Sequence, residues 1–290
     1  MRRNGLYMTL VLLAGAGGAV LRGMSLLYGY DDAGLPVTGY LPATALAVLT
    51  AVAVVCFAVL GRVWFAKADS RSFEQLFCGM SGGVSALCML LAVCSALLCG
   101  VGLLTLSAQV AEQNSEYVQI GMVAVAGLAL VWVLGIAADV CMLLLANGQR
   151  RRGAATKALG MFATLPMFWC CLELIMVYHE NSGNPVTSDY SYLLLLIIAV
   201  MTVFYSMGGF LFSEKGSPAR FFAASGIAVY LVCTHVGGEL IRCVLSDEPN
   251  PLLYMVGTGD AVRVGVYLCV GLYILVQLGH AASRVSGQNE

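Results

Sequence analysis

Eight apolar stretches, each long enough to cross a bilayer, constrain the fold of this chain more than any other feature. A transmembrane helix needs about 20 consecutive, mostly apolar residues. Only 11% of the 290 residues are charged, against about 25% in a soluble domain, so lipid must cover most of the apolar surface. We therefore expect an all-α polytopic bundle of about eight spans that forms a single integral membrane domain over residues 1–290. The stretches cover roughly residues 6–29, 40–65, 76–106, 118–146, 156–178, 190–213, 219–245 and 255–279.

Basic residues concentrate at alternate ends of the predicted spans. Apart from Arg22, Arg242 and Arg263, every Lys and Arg lies near the N-terminus, near the second, fourth or sixth connection, or in the C-terminal tail. The first, third, fifth and seventh connections carry Asp and Glu instead. Because cytoplasmic loops are enriched in Lys and Arg, we expect both termini in the cytoplasm and the acidic connections outside. We expect the protein in the plasma membrane.

The pattern G-x-P-V-T occurs twice, half a chain apart. Residues 34–38 follow the first predicted span, and residues 183–187 follow the fifth. A parallel duplication of four spans keeps the orientation of each half and would produce this spacing. Since Gly and Pro are also ordinary turn residues, coincidence is the other interpretation. A duplication would give pseudo-repeats over residues 1–149 and 150–290.

The chain has 11 cysteines, all of which fall within apolar runs and none of which forms a C-x-x-C pair. Disulfides occur where the chain meets an oxidising exterior, and no cysteine lies in a predicted outer loop. Cysteine also packs as a small apolar side chain. We therefore expect free thiols, no metal site and no cofactor.

Two segments resemble known membrane proteins. Residues 28–40 read YGYDDAGLPVTGY and are similar to the first loop of a group of uncharacterised eight-helix membrane proteins from anaerobic Gram-positive bacteria, in which an acidic turn and Gly-Leu-Pro join the first two helices. Residues 238–242 read GELIR and resemble a Gly-Glu-Leu-Ile segment in the eight-helix anchor subunits of bacterial molybdoenzyme reductases. The first resemblance implies a helix layout without an activity, and the second implies an anchor for a redox enzyme.

Seven ionisable side chains are predicted to lie inside the spans. Each costs on the order of 2.5–3.5 kcal/mol on insertion scales, so residues of this kind are candidates for function. At about 1.5 Å per residue, most of them lie at one depth, roughly 5–10 Å below the outer surface. The seven are Arg22, Asp139, Glu173, His235, Glu239, Arg242 and Arg263.

Three of these residues share one face of the seventh predicted span. His235 and Glu239 are four residues apart, and Glu239 and Arg242 are three apart, so their side chains are neighbours on a helix. One interpretation is an outward-facing polar pocket that binds a small solute or ion. The other is a set of buried salt bridges that only fix the register of the helices.

Both interpretations predict pairing between spans. An unpaired carboxylate at this depth would be costly, whereas a guanidinium offers it two hydrogen bonds. We therefore expect Glu239 to contact Arg22 or Arg263 in addition to its helix neighbour. We expect Glu173 to pair with another of the three arginines.

Asp139 stands apart from this group on the fourth predicted span. It lies about 10 Å from the cytoplasmic face by helix rise, and we interpret it as a hydrogen-bonded or proton-linked carboxyl group. Gly79 and Gly83 form a G-x-x-x-G pattern, which predicts a close contact between two helices.

The sequence lacks the common catalytic motifs. It has no P-loop, no G-x-S-x-G, no H-E-x-x-H and no Rossmann fingerprint, and its net charge of -1 gives no footprint for nucleic acid. Two functions fit what remains. The first is binding or transport of a small solute or ion, and the alternative is a non-catalytic membrane anchor or assembly subunit of a redox complex. The expected partners are the lipid bilayer and the small solute or ion. A second copy of the chain or another subunit of a membrane complex is a further candidate partner.

Overall fold

A computed structural model describes residues 3–31, 36–66, 72–112, 122–150, 156–181, 190–212, 218–245 and 260–286. The described residues form helices and connecting turns. The helices are α1 (Arg3–Tyr28), α2 (Leu41–Phe65), α3 (Phe73–Phe77), α4 (Gly82–Glu112), α5 (Met122–Arg150), α6 (Thr156–Asn181), α7 (Ser191–Phe212), α8 (Pro218–Leu245) and α9 (Asp260–Ser286).

Eight of these helices are long and apolar enough to cross a membrane, which confirms the predicted all-α polytopic bundle. The exception is α3, which has five residues. Large apolar side chains point outward all around the bundle, including Leu13, Val63, Leu97 and Leu104, each about two-thirds exposed. Only lipid accommodates such a surface, so the chain is an integral membrane protein.

Six helices form a closed ring. Contacts run from α4 to α5, α6, α7, α8 and α9 in turn, and α9 packs back against α4. Helices α1 and α2 pack on the outside of this ring against α8. As a result α8 is buried along most of its length, which suits a sequence rich in small residues on the sides that meet α1 and α2.

The third predicted span begins later than its hydropathy indicated. The run that starts near residue 76 is broken at Cys78–Ser81, and α3 is a separate turn of helix, closed at its N-terminus by a capping box between Ser72 and Gln75. Gly79 has φ 74°, a left-handed conformation that glycine adopts readily. Because Gly79 lies outside any helix and Gly83 has no neighbouring atom within 4 Å of its Cβ position, the predicted G-x-x-x-G contact is wrong.

All 11 cysteines are free thiols in this structure. Cys78 differs from the prediction because it lies between α3 and α4 and not within a span. Burial, together with the negative charge of Glu74, raises the pKa of the Cys78 thiol to about 11. A thiol of this kind reacts slowly, since the thiolate is the nucleophile.

The proposed internal duplication stays a prediction. Residues 34–35 and the whole of 183–187 lie outside the described residues, so the two G-x-P-V-T segments are not compared. The division into pseudo-repeats 1–149 and 150–290 rests on the sequence pattern alone.

Candidate functional site

A polar cavity of about 190 Å³ opens at one end of the bundle, among α1, α6, α7, α8 and α9. This is the end that carries the acidic connections, which the distribution of basic residues predicts to be outside. Five of the seven predicted ionisable residues line the cavity, and Glu173 lies behind its wall. The lining residues are Arg22, Asn181, Tyr190, Leu193, His235, Glu239, Arg242, Asp260, Arg263 and Val264.

One wall comes from a single face of α8, as the sequence spacing predicts. His235 is 7% exposed, and Glu239 and Arg242 follow it toward the end of the helix. The Arg242 Nη1 atom lies 3.6 Å from Glu239 Oε2, and the Arg242 side chain is 42% exposed. An ion pair of this length at the rim of the bundle contributes little to stability.

The opposite wall is an ion-pair cluster between α6 and α9. Arg263 donates from Nε to Glu173 Oε1 at 3.0 Å and also pairs with Glu180, with Nη1 2.9 Å from Oε2. Glu173 is 1% exposed, whereas Glu180 is 28% exposed. The predicted pairing of Glu173 with an arginine is therefore confirmed, and the arginine is Arg263.

Arg22 enters the cavity from α1. It is only 3% exposed, and its guanidinium carbon lies 4.8 Å from the centre of the Tyr192 ring, within the range of a cation–π contact. The stem of Arg22 crosses α8 directly over Gly238, where a β-carbon would collide with it. The glycine therefore allows a large charged side chain to lie between two packed helices.

Tyr192 itself is held by a chain of hydroxyl groups. Its hydroxyl lies 3.5 Å from Thr50 Oγ1 on α2, and Thr50 lies 2.9 Å from the hydroxyl of Tyr230 on α8. These bonds join α2, α7 and α8 beneath the cavity. They fix the ring against which Arg22 packs, so the position of this arginine depends on four helices.

Glu239 pairs with Arg242, and its predicted contact with Arg22 or Arg263 stays a prediction. Asp139 is not part of the cavity. It is 3% exposed and accepts a 3.7 Å hydrogen bond at Oδ2 from Cys99 Sγ. The structure thus brings six of the seven predicted residues to one end of the bundle and leaves Asp139 in the interior of the ring.

Sequence reasoning missed several residues at the site, including the carboxylate of Glu180. The fifth predicted span ends at residue 178 and leaves Glu180 in the outer loop, but α6 continues to Asn181. Glu173 and Glu180 are seven residues apart, which puts them on the same side of a helix two turns apart. That spacing was the available signal.

The described lining of the cavity offers guanidinium groups, carboxylates, an amide, a phenol and an imidazole. Among the residues that the structure describes, no group of three or more His, Cys, Asp or Glu has the arrangement of a metal site.

Comparisons with known proteins give no match: no protein-family model fits the chain, and no curated protein or solved structure is significantly similar to it.

Proposed function

We propose that this protein binds a small charged solute or ion in the polar cavity, as the first step of its transport or sensing across the plasma membrane. The observation that carries the proposal is the cavity itself, because charged side chains from α1, α8 and α9 line one space that is large enough to hold a small solute. Ion pairs that served only to fix helix register would need no such space between them.

Energetics support this assignment. Each charged side chain inside a span costs a few kcal/mol, and the cost is repaid where the charges face water or a polar ligand. Arg22, Glu239 and Arg263 come from three different helices and meet at one cavity. A cavity of about 190 Å³ is smaller than a typical drug-sized site, which favours a solute of a few heavy atoms.

The signs of the charges narrow the ligand further. Arg22 and Arg242 offer positive groups, and Glu239 and Asp260 offer negative groups. A solute that carries both signs satisfies more of this lining than a simple anion or cation does. Glycine is the smallest stable probe with this property, and acetate and methylammonium are its two single-charge counterparts.

A second candidate is the membrane anchor or assembly subunit. Arg263 favours it, because two carboxylates already satisfy this guanidinium and join α6 to α9. Under this interpretation the charges hold the bundle together, and the cavity contains only water. The two functions differ in whether any small solute stabilises the folded protein.

Thermal melts of the detergent-solubilised protein test the proposal. We expect glycine to raise the melting temperature in a saturable way and to a greater extent than acetate or methylammonium. A ligand at a hundredfold excess over its Kd stabilises a protein by about 2.7 kcal/mol. Replacing Arg242 by Gln should remove most of the shift without unfolding the protein, since this side chain is 42% exposed.

The matched control is Arg150→Gln at the other end of the bundle. Arg150 is also an exposed arginine in the last turn of a span, but it lies far from the cavity. Arg150→Gln should therefore leave the glycine-induced rise in melting temperature unchanged. If none of the three probes gives a saturable shift, or if both variants reduce it equally, the anchor interpretation replaces solute binding.

A further inference from the structure

Polar side chains line one face of α9 from the cavity into the membrane interior. Arg263, Tyr267, Tyr273 and Gln277 occupy a sector about 120° wide at 100° per residue, and from the first to the last they rise about 21 Å. The hydrocarbon core of a bilayer is about 30 Å thick. This face therefore carries polar groups through roughly two-thirds of the membrane.

Glu173 stands at the outer end of this face. Its Oε1 atom binds Arg263, while among the described residues no group donates a hydrogen bond to its buried Oε2 atom. Arg263 also binds Glu180. Because Glu180 still neutralises the guanidinium when Glu173 is protonated, Glu173 can gain and lose a proton without leaving a buried charge unpaired.

Tyr267 comes next, one turn further in. It is 1% exposed, it stacks on Trp169 with ring centres 5.8 Å apart, and it interacts electrostatically with Glu173, Cys170 and Cys99. Within the described part of the chain, nothing hydrogen-bonds to its hydroxyl. An unsatisfied buried hydroxyl costs about 1–3 kcal/mol, so this group does not stabilise the bundle.

Gly135 of α5 lies one helical turn before Asp139 and packs closely against α4 and α6. A β-carbon at Gly135 would lie 2.9 Å from Cys99 Sγ and 3.1 Å from Trp169 Nε1, so the glycine lets both side chains pack against the same point of α5. Cys99 then donates to Asp139 Oδ2 at 3.7 Å. Asp139 also faces Ser95 of α4 and Cys269 of α9, which are neutral groups.

From this arrangement we propose that Glu173, Tyr267 and Cys99 form a proton path from the outer cavity to Asp139 in the interior of the helix ring. Tyr and Cys side chains both donate and accept hydrogen bonds, and ordered water ordinarily bridges polar groups that are too far apart for a direct bond. This path rests on the proposed function in one respect, that the cavity is open to the outer solution.

The transfer is a relay in which only O–H and S–H bonds form and break. Hydronium that enters from the cavity protonates the Glu173 carboxylate and becomes water, and each following group accepts one proton on one side while it releases another on the other side. The last proton forms the carboxylic acid of Asp139. In sum the solution in the cavity loses one proton, Asp139 gains one, and no electron moves.

Infrared spectroscopy of the full-length protein in lipid nanodiscs tests the path. The carbonyl stretch of protonated Asp139 is the band that disappears in Asp139→Asn. This band shifts in frequency when water is replaced by heavy water, and the time course of the shift gives the rate of proton exchange at Asp139. Loss of a positioned proton-transfer group typically slows transfer by about 100-fold or more. We expect this slowing in Tyr267→Phe and in Glu173→Gln.

Tyr267→Phe separates the path from a structural role. The ring and its stacking on Trp169 remain, and the hydroxyl that is lost has no hydrogen-bond partner among the described residues, so the melting temperature should stay the same or rise. Tyr205→Phe is the matched control, because Tyr205 is 65% exposed on the outside of α7. It should exchange at the wild-type rate.

Two results would overturn the path: no carbonyl band that Asp139→Asn removes at any pH, or exchange at the wild-type rate in both Tyr267→Phe and Glu173→Gln. The path and the solute site fail separately, since Arg242→Gln should remove most of the glycine shift and leave the exchange rate of Asp139 unchanged. If Arg242→Gln has this effect while Tyr267→Phe and Glu173→Gln both exchange at the wild-type rate, solute binding is retained and the path is excluded.

Discussion

Replacing Arg263 by Gln is expected to lower the free energy of unfolding by about 3–5 kcal/mol, the usual effect of removing one partner of a buried ion pair. Glu173 is 1% exposed and receives its hydrogen bond at 3.0 Å from this arginine. Without Arg263 the carboxylate must stay charged in the membrane interior or take up a proton. Reversible unfolding in a detergent mixture measures the loss.

Two controls make this result specific. Glu180→Gln should cost no more than about 1 kcal/mol, because Glu180 is 28% exposed and exposed pairs contribute little. Combining Arg263→Gln with Glu173→Gln should cost clearly less than the sum of the single variants, because no buried charge is then orphaned. Strict additivity of the two single effects would show that the pair is not coupled, contrary to the structure.

Replacing Gly61 by Ala is expected to destabilise the bundle by about 1–3 kcal/mol, the usual range for overpacking. A β-carbon at this position of α2 would lie 2.6 Å from the Cα atom and 2.7 Å from the backbone nitrogen of Ala223 on α8. Backbone atoms cannot rotate away as a side chain can. The two helices would have to separate along the contact that holds α2 to the ring.

Gly100→Ala is the matched control for this prediction. Gly100 also lies inside a span, but no atom lies within 4 Å of its Cβ position. Since alanine favours a helix over glycine by about 1 kcal/mol, this variant should be as stable as the wild type or more so. Equal destabilisation by both substitutions would mean that Gly61 does not mark a close contact.

The sequence predicted the helices well because hydropathy and helix length are local properties. Eight apolar runs correspond to eight long helices, and the error at the start of α4 arose because the apolar residues Leu76–Cys78 directly precede the span. There the boundary is set by the left-handed backbone of Gly79 and by a hydrogen bond from its N–H to the Gln149 carbonyl. A hydropathy pattern cannot reveal a contact with a residue that lies 70 positions away in the chain.

The candidate site was predictable in part for the same reason. Periodicity placed His235, Glu239 and Arg242 on one face of a helix, and the structure has them there. Which residue lies opposite them depends on how the helices pack, so the pairing of Arg263 with Glu180 could not be read from spacing. The contact between Asp139 and Cys99 depends in the same way on the packing of α4 against α5.

Labelling from outside the cell tests the central claim, an outward-facing polar cavity in a membrane bundle, most directly. Asp260 lines the cavity and Ser283 lies near the other end of the same helix, and both are exposed. With an impermeant maleimide on intact cells and the wild-type protein as baseline, Asp260→Cys should be labelled and Ser283→Cys should be labelled only after the cells are broken. The reverse pattern would place the cavity on the cytoplasmic side and contradict the account.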